Sequence, residues 1–409
     1  MAQVAVTADS NLRQVIPNGF YLGNIIPGAG HLSGGSLADD KRGPGQVAKS
    51  GPARQKSPSD DLFTSAAIAL RIKDLPDAEK AAWDAGLVTP NQYEEMHDAV
   101  AVEAARLATI LENDFNSITP ENQAKWESVA PSQGEFYFAE LDEIVDFAEA
   151  NGQRVRGHAL LWHNQNPDWL LDLFAEGAAT DAELRQVLTD HINNVVGRYA
   201  GRIAQWDVAN EIFNDDGTWR VGNPWIDRFG PEIVAEAFRL AHQADPSCEL
   251  FLNDYNVEGI NPKSDAYYAL CQKYLADGVP LHGFGIQGHL GLQYEYPNDM
   301  KGNIARFAAL GLKVELTEVD IRLIVSYRDG IPNPENELDL QAEAYARMIS
   351  EAISVPGCTG ITIWGVSDNY SWIPSLFKGE GAPTLFDNNL QPKPAYYAVR
   401  QALAAAKGY

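Results

Sequence analysis

Apolar residues recur along the chain in two alternating patterns from about residue 110 to the C-terminus. In one pattern they are spaced by three and four, as in Leu141, Ile144, Val145 and Ala148, which is typical of an amphipathic helix. Similar helical spacing occurs at 184–195, 233–241 and 342–353 and from Pro394 onward. In the other pattern, short apolar runs predict strands at 115–119, 154–160, 203–209, 248–254, 283–289, 312–318 and 360–366.

An eighth strand is predicted close to the N-terminus, at 19–26. Strands that alternate with helices favour a parallel sheet with the helices packed outside it. We therefore predict an α/β fold in which residues 1–409 form one domain, a (β/α)8 TIM barrel. The pattern alone leaves an open, doubly wound sheet as the alternative.

Residues 27–90 interrupt this regular spacing. Residues 27–60 are rich in Gly, Ser and Pro, whereas 61–71 and 75–86 have the composition of two short helices. Loops of this length are uncommon and are usually functional or disordered. We predict an insertion within the first βα loop whose apolar helices dock on the barrel or on a neighbouring subunit.

Composition narrows the classes of protein to consider. Lys and Arg total 31 and Asp and Glu total 56, so the net charge is −25, which disfavours a nucleic acid or an anionic membrane as partner. The three cysteines are too few and too scattered for a disulfide scaffold, and none has metal-ligand spacing to another. No run of 18 apolar residues predicts a transmembrane helix.

Carboxylates follow two of the predicted strands. Glu211 ends the segment that contains Trp206, itself expected in the core, and Glu318 ends the strand predicted at 312–318. Catalytic groups of a barrel lie where strands end, and a facing pair of carboxylates is what glycosidic cleavage requires. Either glutamate alone is equally well explained as a neighbour of a helix cap or as part of a surface ion pair.

Seven motifs occur in order, one at each strand end from the second strand to the eighth. They are Thr119-Pro120-Glu121-Asn122 with Lys125-Trp126, Arg156-Gly157-His158 with Trp162-His163, Trp206-Asp207-Val208-Ala209-Asn210-Glu211, Asn253-Asp254-Tyr255-Asn256, Gln287-Gly288-His289, Thr317-Glu318-Val319-Asp320, and Trp364-Gly365-Val366-Ser367-Asp368 with Ser371-Trp372. In these motifs the chain resembles glycoside hydrolase family 10, the retaining endo-β-1,4-xylanases. The resemblance covers residues 92–409 and the first strand.

The resemblance implies a role for each residue around the cleavage point. Glu211 is expected to be the general acid/base and Glu318 the nucleophile. His289, oriented by Asp320, is the expected hydrogen-bond donor to Glu318. Asn210 is expected to bind the 2-hydroxyl of the sugar, a contact that strengthens in the transition state.

Further residues are implied in substrate binding. Gln165 and Trp372 stand where the family crowds the C5 position of the sugar, which favours xylose over glucose. His158, Trp162 and His163 lack the carboxylate that would complete a helical zinc motif, so we expect no catalytic metal, and the resemblance implies no cofactor. The remaining residues of the implied binding set are Glu121, Asn122, Lys125, His158, Trp162, Tyr255, Gln287 and Trp364.

The expected function is therefore hydrolysis of internal bonds of xylan, with xylan or xylo-oligosaccharides as the partner and a monomer as the default. The alternatives are a related barrel glycanase acting on glucan or mixed substrates, an intracellular xylo-oligosaccharide hydrolase, and an inactive glycan-binding barrel. Because the N-terminus lacks a basic segment followed by an apolar stretch, no signal peptide is predicted. Polymeric xylan does not cross membranes, so we expect a secreted protein, with a cytoplasmic one as the alternative.

Overall fold

The structure is a computed structural model that describes residues 10–26, 90–325 and 336–408. The predicted insertion at 27–90 lies outside the described residues except for Pro90, which begins a helix. The two short helices predicted at 61–71 and 75–86 therefore stay predictions.

Eight parallel strands form a closed barrel, which confirms the predicted TIM barrel. The ring closes because the last strand pairs with the first, through Tyr21 and Gly360, and also with the strand before it, through Glu315 and Gly360. An open sheet would leave two unpaired edges. The ring strands are β1 (Tyr21–Ile26), β2 (Ser117–Pro120), β3 (Arg154–Leu161), β4 (Gln205–Asn210), β5 (Glu249–Asp254), β6 (Gly283–Ile286), β8 (Lys313–Ile324) and β9 (Cys358–Ile363); β7 (His289–Gly291) and β10 (Glu380–Gly381) pair with β8 beyond the ring.

Helices surround this barrel and bury the apolar faces that the sequence predicts. Phe238 and Ala241 of the helix Glu232–Ala244, for example, are fully buried. In the described ranges, no helix is both long and apolar enough to cross a bilayer. The helices are α1 (Leu12–Val15), α2 (Pro90–Asp114), α3 (Trp126–Val129), α4 (Ala139–Ala150), α5 (Asp168–Leu173), α6 (Asp181–Arg198), α7 (Pro224–Phe229), α8 (Glu232–Ala244), α9 (Pro262–Ala276), α10 (Met300–Ala309), α11 (Glu337–Ile353), α12 (Ile373–Leu376) and α13 (Pro394–Lys407).

Local sequence signals set the starts of several helices. Thr180 and Glu183 form a capping box at the start of α6. Asn261 caps α9 and is followed by Pro262, whose missing N–H costs nothing in the first turn. The last helix, α13, begins at Pro394 as predicted.

The strand predicted at 283–289 is instead two strands. β6 ends at Ile286, Gly288 turns the chain with φ +82°, and β7 begins at His289. Only a glycine adopts this backbone conformation without strain. The turn follows the end of the barrel wall and redirects residues 287–289 toward the neighbouring strand β8.

In the barrel core, the side chain of Trp206 approaches the backbone of Gly157 closely. Trp206 is fully buried, as expected, and its ring lies against Gly157 of β3. A Cβ atom at Gly157 would come within 2.3 Å of the Trp206 ring. A glycine is therefore required at position 157, where β3 runs beside β4.

Candidate active site

Glu211 and Glu318 both lie at the C-terminal end of the barrel. Glu211 follows β4 directly, and its backbone N–H donates to the carbonyl of Asn253 near the end of β5 at 2.9 Å. The backbone N–H of Glu318 donates to the carbonyl of Gln287, just after β6, at 2.8 Å. Strand pairing therefore brings both carboxylates to the face where barrel enzymes carry their active sites.

Glu318 is surrounded by hydrogen-bond donors. Asn253 Nδ2 donates to its Oε1 at 2.8 Å, and His289 Nε2 lies 3.3 Å from its Oε2. The other nitrogen of His289 is 2.9 Å from Asp320, and His158 Nδ1 is 3.9 Å from Glu318 Oε1. Both oxygens of the buried carboxylate are thus held in place.

These neighbours decide the charge of Glu318. Burial alone would raise the pKa of Glu318, but His158, His289 and Asn253 favour the anion and lower the pKa to about 2. For His289, burial opposes the charged ring, yet Asp320 and Glu318 raise its pKa to about 10. Near neutral pH the site therefore holds an ionised carboxylate beside a protonated imidazole.

Below Glu318, a row of charged residues continues into the barrel. His158 Nδ1 lies 2.9 Å from Asp207, and Asp207 forms a buried ion pair with Arg156. Arg156 Nε is 3.7 Å from Glu315, which also pairs with Arg154 at 3.0 Å. A buried ion pair is tolerated only where each charge is compensated, and here positive and negative groups alternate up to His158.

The carboxylate of Glu211 accepts a hydrogen bond from a neutral amide. Gln287 Nε2 donates to its Oε1 at 3.1 Å, and His163 Nδ1 lies 3.8 Å from its Oε2. Burial lowers the pKa of His163, with Arg220 and Lys263 acting in the same direction against the pull of Glu211, so this imidazole is neutral near pH 7. The Glu211 carboxylate is thus oriented by the amides of Gln287 and Asn210, and no charged side chain among the described residues donates a hydrogen bond to it.

Asn210 connects the surroundings of the two glutamates. Its side-chain amide lies between Asn253 Nδ2, at 2.9 Å, and the indole nitrogen of Trp162, at 3.2 Å. Both neighbours are hydrogen-bond donors. The side-chain oxygen of Asn210 therefore accepts from Asn253 in one orientation of the amide and from Trp162 in the other. Asn253 therefore contacts both Asn210 and Glu318 and links β4 to β8 across β5.

A polar cluster lies beside this centre, on the loops after β2 and β3. Lys125 Nζ donates to Asn122 at 2.9 Å and to Gln165 at 2.7 Å. Burial lowers the pKa of Lys125, whereas the carboxylates of Glu121, Glu318 and Glu211 oppose the shift. Gln165, with φ +48°, also donates to Asn122 and to Glu127. The cluster offers several oriented hydrogen-bonding groups at one end of the centre.

Three tryptophans border the two glutamates. Trp364 is buried, and its ring centre lies 5.5 Å from that of His158. Trp372 donates its indole N–H to Asp320 at 2.8 Å and lies 4.9 Å from the ring of His289. Trp162 packs below Lys125, whose Nζ is 4.9 Å from its ring. Aromatic faces beside oriented polar groups suit a ligand with both C–H faces and hydroxyl edges.

Tyr255 lies on the other side of Glu211, after β5. Its hydroxyl accepts from Arg220 at 2.9 Å, and Lys263 Nζ lies 3.6 Å from its ring. Arg220 also donates to the backbone carbonyl of Glu211 at 2.6 Å. The loops after β4 and β5 are therefore joined next to this carboxylate.

The structure brings all of the residues implied by the motifs to the same end of the barrel. It also gives contacts to two residues for which the motifs alone assigned no role. Asn253 donates directly to Glu318, and Asp207 holds His158. Both are polar residues that stand within the quoted motifs, which is the signal in the sequence that could have identified them.

Among the described residues, no group of three His, Cys, Asp or Glu side chains is arranged to hold a metal ion. The chemistry that the centre offers is that of two carboxylates in different environments. Glu318 is held as an anion by its hydrogen-bond donors, and Glu211 accepts from the amide of Gln287.

Comparison with protein families gives a match to Glycosyl hydrolase family 10 over residues 85–402. The β-1,4-xylanase of Dictyoglomus thermophilum is 39% identical over 330 residues, which cover 77% of this chain and 91% of that protein. The endo-1,4-β-xylanase B of Thermotoga neapolitana is 36% identical over 344 residues, covering 83% of this chain and 93% of that protein.

Solved structures show the same architecture. Xylanase 10B from Thermotoga petrophila RKU-1, in complex with xylobiose, superimposes with a TM-score of 0.75 at 30% identity, covering 98% of this chain and 99% of that one. The intracellular xylanase TsXylA from Thermoanaerobacterium saccharolyticum gives a TM-score of 0.69 at 30% identity, covering 97% and 100%.

Proposed function

This chain belongs to glycosyl hydrolase family 10, and from that premise we infer that it is an endo-1,4-β-xylanase that acts with retention of configuration. Xylo-oligosaccharides are its ligands, in keeping with the xylobiose complex of the Thermotoga petrophila enzyme. The assignment of individual residues is supported by one observation: His289 and Asn253 donate to Glu318 and help to lower its pKa to about 2, whereas Glu211 accepts from the neutral amide of Gln287.

In the first step, the Glu318 carboxylate attacks the anomeric carbon of the sugar. The bond from that carbon to the glycosidic oxygen breaks, and Glu211 gives its proton to the leaving oxygen. A covalent ester to Glu318 results, and Glu211 becomes an anion. The hydrogen bonds from Asn253 and His289 support this role because they fix both oxygens of the attacking carboxylate.

In the second step, water replaces Glu318 at the anomeric carbon. Glu211 removes a proton from the water as its oxygen attacks, and the ester bond breaks to return Glu318 to its anionic form. The loss of negative charge at Glu318 in the ester removes repulsion that would otherwise oppose an anionic Glu211. Two displacements at one carbon restore the original configuration.

We assign substrate hydroxyls to the polar groups around this pair. Asn210 is proposed to bind the 2-hydroxyl, and Gln287 and His158 to bind the sugar at the cleavage point. The buried Lys125, with Glu121 and Asn122, is proposed to hold the next sugar on the glycone side. Trp162, Trp364 and Trp372 would pack on pyranose faces, with Tyr255 on the aglycone side.

Preference for xylose over glucose is assigned to Gln165 and Trp372, which we propose crowd the C5 substituent. Both side chains are fixed by hydrogen bonds, to Lys125 and to Asp320, so neither can swing aside freely. A glucan-active enzyme is the competing function, and relative rates on xylan and carboxymethylcellulose distinguish the two.

Two further features of this proposal concern the whole chain. We propose one catalytic domain over residues 1–409 that acts as a monomer, either secreted or cytoplasmic. Secretion suits a polymeric substrate, while the similarity to an intracellular xylanase over 97% of the chain supports the second location. Fractionation of the source cells with an antibody to the chain decides between them.

The residue assignment is tested by replacing each glutamate with alanine. Glu318→Ala is expected to abolish hydrolysis of every substrate. Glu211→Ala is expected to abolish cleavage of xylan but to spare the first step with 2,4-dinitrophenyl β-xylobioside, whose leaving group needs no protonation. Azide should then restore turnover of this substrate by Glu211→Ala and give the β-glycosyl azide, identified by NMR.

The exposed Glu232 on α8 provides the control, and Glu232→Ala should leave all rates unchanged. With the proposed assignment, any azide product of Glu318→Ala is the α-glycosyl azide, because azide then replaces the missing nucleophile in a single displacement. A β-glycosyl azide from Glu318→Ala, or loss of the first step in Glu211→Ala, would reverse or refute the assignment.

A further inference from the structure

The backbone of Glu211 adopts a conformation that residues other than glycine rarely adopt. Its φ is +56°, in the left-handed region that favours glycine. Such a conformation costs energy and persists only where the surrounding contacts enforce it. The contacts on either side of Glu211 are therefore important for the position of its carboxylate.

Two hydrogen bonds hold this turn. On one side, the backbone N–H of Glu211 donates to the carbonyl of Asn253 at 2.9 Å. On the other side, the backbone N–H of Ile212 donates to the phenolic oxygen of Tyr267 at 3.1 Å. The first bond continues the pairing of β4 with β5, whereas the second comes from helix α9, outside the barrel wall.

Tyr267 is itself held rigidly. Its hydroxyl donates to Asp254 Oδ2 at 2.5 Å, while Asp254 Oδ1 accepts from Lys263 Nζ and from the backbone N–H of Tyr255, both at 2.8 Å. The Tyr267 ring is fully buried between Phe213, at 4.8 Å, and Phe284, at 5.1 Å. The phenolic oxygen thus has one fixed position in which to accept from Ile212.

The hydrogen bond between Ile212 and Tyr267 has a fixed direction, because a backbone N–H can only donate. Burial and the neighbouring Asp254 raise the pKa of Tyr267 well above its usual range, so its hydroxyl keeps its proton at working pH. Burial raises the pKa of Asp254 to about 7, and above that pH its carboxylate accepts the proton of the Tyr267 hydroxyl while the phenolic oxygen accepts from Ile212. Phenylalanine would fill the same space but would leave both Ile212 N–H and Asp254 without this partner.

We propose that Tyr267, oriented by Asp254, is a positioning residue for Glu211 that holds the left-handed turn carrying the proton donor. This inference rests on the assignment of Glu211 as the acid/base. It adds a residue from α9 that touches neither substrate nor reacting atoms. A misplaced Glu211 would protonate the leaving oxygen poorly, so the defect should depend on how much the leaving group needs a proton.

The test compares two substrates that differ in this need. In Tyr267→Phe, kcat/KM for xylotetraose, whose leaving sugar requires protonation, is expected to fall ~10-fold or more, within the ~10²–10⁴-fold range of general acid catalysis. With 2,4-dinitrophenyl β-xylobioside, kcat/KM reports a first step that needs no acid and should change less than ~3-fold. A merely structural defect would lower both values alike.

A matched control lies on the same helix. Tyr274 is also buried on α9, and its hydroxyl has no hydrogen-bond partner among the described residues. Tyr274→Phe removes a hydroxyl from the same helix and should leave the ratio of the two kcat/KM values unchanged. An equal change of that ratio in both variants would overturn the proposal.

A second variant covers poor folding of Tyr267→Phe. Asp254→Asn keeps the shape of the side chain but weakens the acceptor that orients the hydroxyl. It should therefore lower the ratio of kcat/KM for xylotetraose to kcat/KM for 2,4-dinitrophenyl β-xylobioside, but less strongly than Tyr267→Phe does. An unchanged ratio in the folded variant overturns the proposal. Glu211→Ala is measured in parallel: if it shows no leaving-group dependence, the acid/base assignment fails; if only Tyr267→Phe shows none, the positioning role alone fails.

Discussion

The surroundings of Glu318 and Glu211 differ although both carboxylates lie at one end of one barrel. Glu318 has His158 and His289 nearby, and each of these is backed by an aspartate, Asp207 or Asp320. Glu211 accepts from the neutral amide of Gln287. The first environment stabilises the charge of Glu318, whereas the second orients the Glu211 carboxylate through a neutral amide.

This difference shows that burial alone does not determine how a site titrates. The carboxylate of Glu318 is 6% exposed and that of Glu211 12%, so solvent access hardly distinguishes them. Charged partners do distinguish them, because burial by itself would raise the pKa of Glu318 instead of lowering it to about 2. The hydrogen-bonding partners of each carboxylate are therefore the basis of the roles proposed for Glu211 and Glu318.

The largest expected effect comes from removing a charged partner of Glu318. In His289→Ala, kcat/KM should fall ~10–200-fold, because a hydrogen bond to a charged group is worth ~1.5–3 kcal/mol. The acid limb of the pH profile of kcat/KM should also move upward, since the pKa of Glu318 rises from about 2 toward its usual value of 4.5. Initial rates with xylotetraose between pH 2.5 and 7 measure both changes.

His242→Ala is the control for this prediction. His242 lies on α8, and its Nδ1 has no hydrogen-bond partner among the described residues. Its replacement should leave the acid limb in place. If His289→Ala kept the parent acid limb, charged partners would not be the cause of the difference between the two glutamates.

His191 offers a comparison with His289, because it is buried but has no carboxylate partner among the described residues. His191 stacks on Trp126 at 3.7 Å, and burial lowers its pKa from 6.5 to about 3, the opposite of His289. The unfolded chain therefore binds a proton that the folded protein excludes between pH 6.5 and 3, and stability falls as pH drops through this window. At pH 5.5 this costs about 1.4 kcal/mol.

His191→Phe should remove this penalty while keeping an aromatic ring against Trp126. The free energy of unfolding, measured with urea at pH 7.5 and 5.5, should fall less with pH in the variant, by about 1.4 kcal/mol. The comparison uses the change with pH within each protein, so an altered packing energy cancels. An identical change with pH in both proteins would mean that His191 takes up no proton on unfolding.

The smallest expected effect is at the neutral partner of Glu211. Gln287→Ala should lower kcat/KM for xylotetraose ~2–10-fold, because a hydrogen bond between neutral groups is worth ~0.5–1.5 kcal/mol. The acid limb, which reports Glu318, should stay where it is. A shift of that limb as large as in His289→Ala would show that the two environments are not separate.

The sequence by itself predicted the barrel, with an open sheet as the alternative, and singled out the two glutamates as candidates. Alternating strand and helix patterns predicted eight βα units, and the motifs placed a carboxylate after β4 and another on β8. Such patterns are local, because each strand or helix must match its own apolar face to the core. The motifs also pointed to His289 with Asp320, which are 31 residues apart in the chain and lie 2.9 Å from each other in the structure.

Only the tertiary structure decided how groups from distant strands meet. Asn253 and His158 contact Glu318 because barrel closure and strand register bring β3, β5 and β8 together, and register depends on many weak contacts that no short segment records. The left-handed turn at Glu211, and Tyr267 reaching it from α9, arise in the same way. Residue types in the motifs thus indicated the chemistry proposed for this site. The geometry that gives the two carboxylates different surroundings required the closed barrel.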